Sequence, residues 1–200
     1  MEVYIPFKPS NPKSRLSGIM SEREREEFAF VLLMDVLDAC GEAVVLSTSS
    51  HRILEGIRHE IDGRDLDTAI TSRVKKEECA VIMSDLPLIT EKTVSEFLSF
   101  EDDVVLAPGR KGGTNMLLSR NRNFHTSYHY GSFFKHLRIC RELGIKCGIF
   151  DSFYASVDID DESDLLELML HGKGKRSYEF LESLGFYVDY SEMDPVIKKE

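Results

Sequence analysis

No two of the four cysteines stand at the spacing of a C-x-x-C pair. Cys40, Cys79, Cys140 and Cys147 are scattered, with no ladder of histidines beside them. That argues against a disulfide framework or a structural zinc site and leaves reduced, mostly buried thiols. Long apolar runs are lacking too: stretches such as 30–34 and 43–46 fall far short of the ~20 residues that cross a bilayer. The N-terminus shows no basic start, long apolar segment or small-residue cleavage site, so the expectation is a cytoplasmic protein with no membrane partner. Positive charge is scarce, with 25 Lys and Arg against 35 Asp and Glu and a net charge of −10. A nucleic-acid partner would need a basic face to neutralise phosphates, and none is expected here. The phosphate loop G-x-x-x-x-G-K-S/T is absent as well.

What is present is the profile of one ordinary globular domain over residues 1–200, with 42% hydrophobic and 30% charged residues. Strand-like and helix-like segments alternate with no linker between them. Apolar runs at 3–7, 43–46, 80–83, 104–107 and 146–150 read as strands. Ser21 with Glu24 is a capping-box signature, followed by Phe28, Val31, Leu32 and Val36 at helical spacing and a stop at Gly41. Further helices are expected at 67–76, 91–100, 131–143, 162–170 and 177–184, with a short one near 53–57. Continuous apolar strands alternating with helices predict an α/β fold, a mainly parallel sheet covered on both faces. Such sheets bind ligands beyond the carboxyl ends of their strands.

The candidate chemistry lies in the loops at those ends. Lys8, Lys13 and Arg15 follow the first strand, and cations there suit a polyphosphate, although a solvated basic loop has the same composition. Asp85 follows the strand 80–83 and is placed either to hold a divalent metal or to cap a helix. Asp158 and Asp160 are two residues apart, so in extended backbone both carboxylates face one way while Ile159 faces the core. Two carboxylates held together repel, and a divalent cation relieves that repulsion. The alternative is the acidic first turn of a helix, a role that suits Asp161 and Glu162. The glycine-rich stretch 107–115 carries Arg110 and Lys111 for an anion, or forms a hairpin. His129 lies near Tyr128, Tyr130 and Ser132 in a cluster that could line a pocket, whereas His51, His59, His125, His136 and His171 suit surface or structural roles. Cations for phosphates together with carboxylates for a metal point to phosphoryl or nucleotidyl transfer.

Several of these residues form a pattern. Ile5-Pro6-Phe7-Lys8-Pro9, Lys13-Ser14-Arg15-Leu16, Ser84-Asp85-Leu86-Pro87-Leu88, Ala107-Pro108, Gly112-Gly113-Thr114-Asn115 and Asp158-Ile159-Asp160, in that order, resemble the 2-phospho-L-lactate guanylyltransferases of coenzyme F-420 biosynthesis. The likeness runs from about residue 3 to about residue 168. It implies a Rossmann-like three-layer sandwich of the nucleotide-diphospho-sugar transferase type. It also implies that GTP and 2-phospho-L-lactate are joined to give lactyl-2-diphospho-5′-guanosine and pyrophosphate, some relatives using phosphoenolpyruvate instead. By the same resemblance, Asp85, Asp158 and Asp160 would hold Mg2+ or Mn2+, and Lys8, Lys13 and Arg15 would hold the triphosphate, with Lys13, Arg15 and Asp85 catalytic. Gly63 and Asp67 fall where relatives contact the base. Thr114, Gly131 and Ser132 would bind the acceptor beside Arg110 and Lys111, with His129 standing where a glycine is common. The rival readings are a same-fold transferase with another phosphorylated acceptor and a non-catalytic nucleotide binder. The oligomeric state stays open, a homodimer included.

Overall fold

The computed structural model describes residues 1–191 and 193–200. The chain opens with β1 (Glu2–Phe7), then α1 (Glu22–Cys40), β2 (Val44–Ser47), β3 (His59–Ile61), α2 (Leu66–Lys76), β4 (Cys79–Ile82) and α3 (Glu91–Leu98). It continues through β5 (Val104–Pro108), β6 (Thr114–Ser119), α4 (Ser132–Leu143), β7 (Cys147–Ile149), α5 (Phe153–Ser156), α6 (Glu162–His171), α7 (Arg176–Ser183), β8 (Phe186–Asp189) and β9 (Val196–Lys199). Seven strands form one sheet in the order β3-β2-β1-β4-β6-β5-β7, parallel except for β6, and β8 pairs with β9 apart from it.

Alternation within each strand explains why the strands read as unbroken apolar runs. Val3, Ile5 and Phe7 enter one core layer with Val45, Ala80, Ile82, Val105 and Ala107. Their neighbours Tyr4, Val44, Leu46, Val81, Val104 and Leu106 enter the layer on the opposite face. Both faces of the sheet are therefore covered, as a mainly parallel sheet requires. A third cluster joins Phe28 and Leu32 of α1 to Leu165, Leu168, Leu181 and Phe186 of the C-terminal segment. Helix α1 forms as expected. The Ser21 hydroxyl accepts from the Glu24 N–H and the Glu24 carboxylate accepts from the Ser21 N–H, and the chain leaves the helix at Gly41 with φ 65°.

Three expectations need correction. The residues from Thr114 onward carry no strand expectation, yet β6 begins there and runs antiparallel in the middle of the sheet. Its six residues are all buried, so no polar face marks it as a strand, and its run of apolar residues is short. β3 likewise gives no apolar signal, because all its residues are exposed at the sheet edge. The short helix near 53–57 is a single 3-10 turn at Arg52–Leu54.

The sheet order sets the site. From the central β1 the chain moves outward to β2 and β3, then returns to the other side of β1 as β4. A crevice opens where the direction reverses, between the loops that leave β1 and β4. Because β6 is antiparallel to β4, its beginning lies at that same edge: Ile82 pairs with Met116, and the Met83 N–H donates to the Asn115 carbonyl at 3.0 Å.

The C-terminal segment is tied to this body by a buried carboxylate. Asp35 of α1 is 2% exposed and accepts from the Arg176 and Ser177 N–H groups at 2.9 and 3.0 Å, serving as a remote cap for α7. Asp35→Ala leaves the buried N–H and hydroxyl of Ser177 without that partner and is expected to lower unfolding stability by about 2–4 kcal/mol. Urea denaturation checks this, and a loss below about 0.5 kcal/mol would contradict it.

Candidate active site

The loop after β1 takes a strained path. Asn11 and Lys13 both have positive φ, 45° and 50°, in a region that non-glycine residues rarely visit. Arg25 of α1 holds the loop there from below. Its guanidinium is almost fully buried and donates to the Pro12 carbonyl at 3.3 Å, the Met20 carbonyl at 3.0 Å and the Asn11 side chain at 3.1 Å. In sequence Arg25 looks like one of several charges on a helix, and no local signal marks it as a partner of the loop.

Held this way, Lys13 points into the carboxyl edge. Its ammonium lies 2.6 Å from Asp85 and 3.3 Å from Asp160, and Arg15 donates to the other oxygen of Asp160 at 3.0 Å. Burial alone would lower the Lys13 pKa, but attraction to Asp85 and then Asp160 outweighs it, and the group stays charged with a raised pKa. Asp85 and Asp160 are not helix caps. Thr90 caps α3 and Asp161 caps α6, which leaves both carboxylates for the rim. The predicted alternation at 158–160 holds, since Ile159 is fully buried and its N–H donates to the Asp85 carbonyl at 3.0 Å. That backbone bond sets the two acidic segments side by side. Asp158 accepts from the Asn115 amide at 3.1 Å. Its carboxyl is pushed above the usual carboxylate range by burial and then by Asp85, with Asp160 adding to it.

The donor set is all hard carboxylate oxygen, and among the described residues no cation pairs with Asp158, a chemistry that fits a divalent ion. The three-carboxylate set is not preassembled, however. Among the described residues no three His, Cys, Asp or Glu side chains are grouped so as to hold an ion, and Lys13 stands between two of the three aspartates.

Two cavities flank this rim. One of about 450 Å³ is bordered by Lys8, Lys13 and Asp85 on one side and by Thr48, Asp62 and Arg64 on the other. The second, of about 430 Å³, lies beyond Arg15 and Asp160 and reaches His129, Gly131 and Ser132. Gly63 does not border the first; it lies between Asp62 and Arg64, which do, and a side chain there would meet the Thr48 carbonyl at 3.5 Å. Asp67 does not border that cavity. Its carboxylate accepts from the Tyr128 N–H at 2.7 Å and approaches His129 at 3.6 Å, so it secures the segment that walls the second cavity.

On that second side Thr114 and Ser132 come together as expected. The Thr114 N–H donates to the Ser132 hydroxyl at 2.8 Å. His136, expected only to have a surface or structural role, is their buried support. Its Nε2 accepts from the Ser127 N–H at 2.8 Å, which places the ring proton on Nδ1, 2.9 Å from the Thr114 hydroxyl oxygen. The Thr114 oxygen thus accepts from His136 and, at 3.3 Å, from Ser132, and its own proton is left to be donated. Arg110 and Lys111 are both ion-paired, and Lys111 also borders the second cavity. The stretch 109–113 is a tight hairpin in which Gly112 has φ 77° and a side chain on Gly109 would meet Asn115 at 2.5 Å. At its tip Lys111 pairs with Asp161 and Asp164 at 2.6 and 3.1 Å, and Arg110 pairs with Glu167 at 3.0 Å. Their charge is spent on clamping the hairpin to α6.

A parallel sheet with an antiparallel insertion, a basic loop at the reversal point and an acidic rim beside it define a nucleotidyltransferase of the nucleotide-diphospho-sugar transferase fold. A Desulfovibrio desulfuricans G20 protein assigned to the nucleotide-diphospho-sugar transferases superposes with a TM-score of 0.71 at 14% identity, over 92% of this chain and 95% of that one. The family described as "Guanylyl transferase CofC like" matches residues 1–198, and the chain belongs to it. Relatives called 2-phospho-L-lactate guanylyltransferase include one from Ferroglobus placidus, 70% identical over the whole of both chains. Another, from Archaeoglobus fulgidus, is 56% identical over 96% of this chain and 94% of its own.

Two outcomes follow from the supports. Burial holds the folded-state pKa of His136 down to about 4, from an ordinary value of 6.5. Between those values the unfolded chain binds a proton that the folded chain refuses. The contribution of His136 is therefore complete above about pH 6.5 and lost as the pH falls to about 4, on the order of 3 kcal/mol in all. Urea unfolding across that range should show a shallower decline in His136→Asn than in the wild type; parallel profiles would contradict it. Arg25→Met frees the loop that carries Lys13 and is expected to lower kcat/KM by roughly 10- to 100-fold with the fold retained by circular dichroism. Unchanged kinetics would contradict this.

Proposed function

We propose that the protein joins GTP to 2-phospho-L-lactate, releasing pyrophosphate, as a step in the biosynthesis of coenzyme F-420. The observation that carries this reading is the rim where Lys13 and Arg15 meet Asp85 and Asp160, with one cavity on each side of it. A reaction between two phosphate-bearing molecules needs such an arrangement, a donor pocket and an acceptor pocket that share one charge-neutralising edge. The names of the relatives that match over the full chain supply the donor and the acceptor.

The chemistry is an in-line displacement. An oxygen of the acceptor's phosphate attacks the α-phosphorus of GTP, a new phosphorus–oxygen bond forms, and the bond to the β-phosphate breaks. That oxygen is already ionised near neutral pH, so no side chain has to remove a proton. The nucleotide lies in the cavity of Lys8 and Asp85, its base toward Gly63 and Arg64. Lys13 and Arg15 take up the charge of the departing pyrophosphate. Thr114, Gly131 and Ser132 hold the acceptor, with the Thr114 hydroxyl proton donated to it and the ring of His136 fixing that direction. Asp85, Asp158 and Asp160 would hold Mg2+ or Mn2+. Bound there, the metal supplies charge neutralisation on the reacting phosphates. Both substrates are highly charged and soluble, which fits a cytoplasmic enzyme. No helix among the described residues is long and apolar enough to cross a membrane.

Purified protein given GTP, Mg2+ and 2-phospho-L-lactate should release pyrophosphate, with phosphoenolpyruvate as the comparison acceptor. Release with neither acceptor would overturn the proposal. Asp85→Asn is expected to reduce kcat by about a thousandfold while the protein stays folded.

A further inference from the structure

We propose that Lys13 is a built-in counterion that closes the metal site until the nucleotide arrives, so that metal and nucleotide enter together. The inference rests on the reading of Asp85, Asp158 and Asp160 as metal carboxylates. The Lys13 ammonium, 2.6 Å from Asp85 and 3.3 Å from Asp160, stands in the place between those carboxylates that a divalent ion would take. Its side chain is only 11% exposed, so it is enclosed at the rim rather than waving in solvent. Nor is the position accidental. The backbone at Lys13 is left-handed at φ 50°, a conformation that costs on the order of 1 kcal/mol, and two hydrogen bonds of Arg25 hold the preceding residues Asn11 and Pro12 in place. The carboxylates are fixed from the other side by the Ile159 to Asp85 backbone bond.

An ammonium and a divalent cation cannot both stand between Asp85 and Asp160. For the metal to enter, Lys13 must leave, and leaving two carboxylates needs another anion within reach. The cavity that Lys13 borders together with Lys8 and Asp85 is where the phosphates of the nucleotide would lie. The nucleotide therefore provides the partner that draws Lys13 off the aspartates and at the same time supplies the metal's remaining oxygen ligands. Metal alone offers Lys13 no such partner and must displace it unaided. Each ligand then strengthens the binding of the other by the same factor. Arg15 plays a lesser part, because it is 61% exposed and touches only the outer oxygen of Asp160.

The test is Mn2+ binding, followed by the loss of the free-ion paramagnetic resonance signal, in the wild type, Lys13→Met and Arg15→Met. Without nucleotide, Lys13→Met is expected to bind Mn2+ at least about tenfold more tightly than the wild type. It should also gain melting temperature on Mn2+ addition, which the wild type does not. GTP should strengthen Mn2+ binding to the wild type beyond what GTP chelates by itself, and this enhancement should shrink about tenfold or more in Lys13→Met. Arg15→Met, which removes a charge without vacating the position between the aspartates, should change nucleotide-free affinity by less than about threefold. If Lys13→Met fails to fold, Lys13→Gln carries the same expectations. Equal affinities of wild type and Lys13 variant without nucleotide, while GTP still drives Mn2+ uptake that Asp158→Asn abolishes, would overturn the role of Lys13 and leave the metal reading standing. No uptake by any of the proteins, with or without GTP, would overturn both.

Discussion

Carboxylates crowded at one edge of a sheet repel one another, and the loops of this protein are arranged around that repulsion. Asp85 leaves β4, and Asp158 and Asp160 come back from the far end of the chain to lie beside it. Lys13 offsets the charge of two of them and leaves the third pushed toward its neutral form. That one ammonium needs a left-handed backbone beneath it, and the left-handed backbone needs the buried guanidinium of Arg25. The chain of dependence thus runs from a helix interior, through a strained loop, to the charge balance at the rim.

The second cavity depends on a reversal of direction. Were β6 parallel to its neighbours, its first residues would lie at the amino edge, far from the aspartates. Running antiparallel, it delivers Thr114 and Asn115 to the carboxyl edge, the first to Ser132 and His136, the second to Asp158. The hairpin that makes this turn is tight enough to need glycine at 109 and 112, and Arg110 and Lys111 bind its tip down on α6. The same pair helps to keep the strand start in place, and Lys111 does so from the wall of the second cavity.

Much of this was legible beforehand, and the reasons are local. The capping box at Ser21, the stop at Gly41 and the apolar strands are written in neighbouring residues, so they could be read without knowing what lies across the core. The facing of Asp158 and Asp160 follows from the period of extended backbone alone. Harder to read were β6, whose six residues are all buried and show no polar alternation, and the roles of Arg25 and His136, whose partners are 5–14 and 9–22 residues away in sequence. Nothing in a charged residue on a helix, or in a histidine on another, says which loop it will meet.

The sequence by itself therefore determined the class of fold, the basic and acidic loops and the same-facing carboxylates, because each depends on backbone period and on the chemistry of adjacent residues. Only the tertiary structure decided which cation meets which carboxylate. Lys13 lies 72 residues from Asp85 and 147 from Asp160, and an ion pair over such separations exists only once the sheet has set its strand order. The same order decided that Arg110 and Lys111 pair with acids of the α6 segment, that Asp67 holds Tyr128 beside the second cavity, and that a lysine stands between Asp85 and Asp160. Charge can be counted along a chain, but whether it is free or already paired is settled by packing.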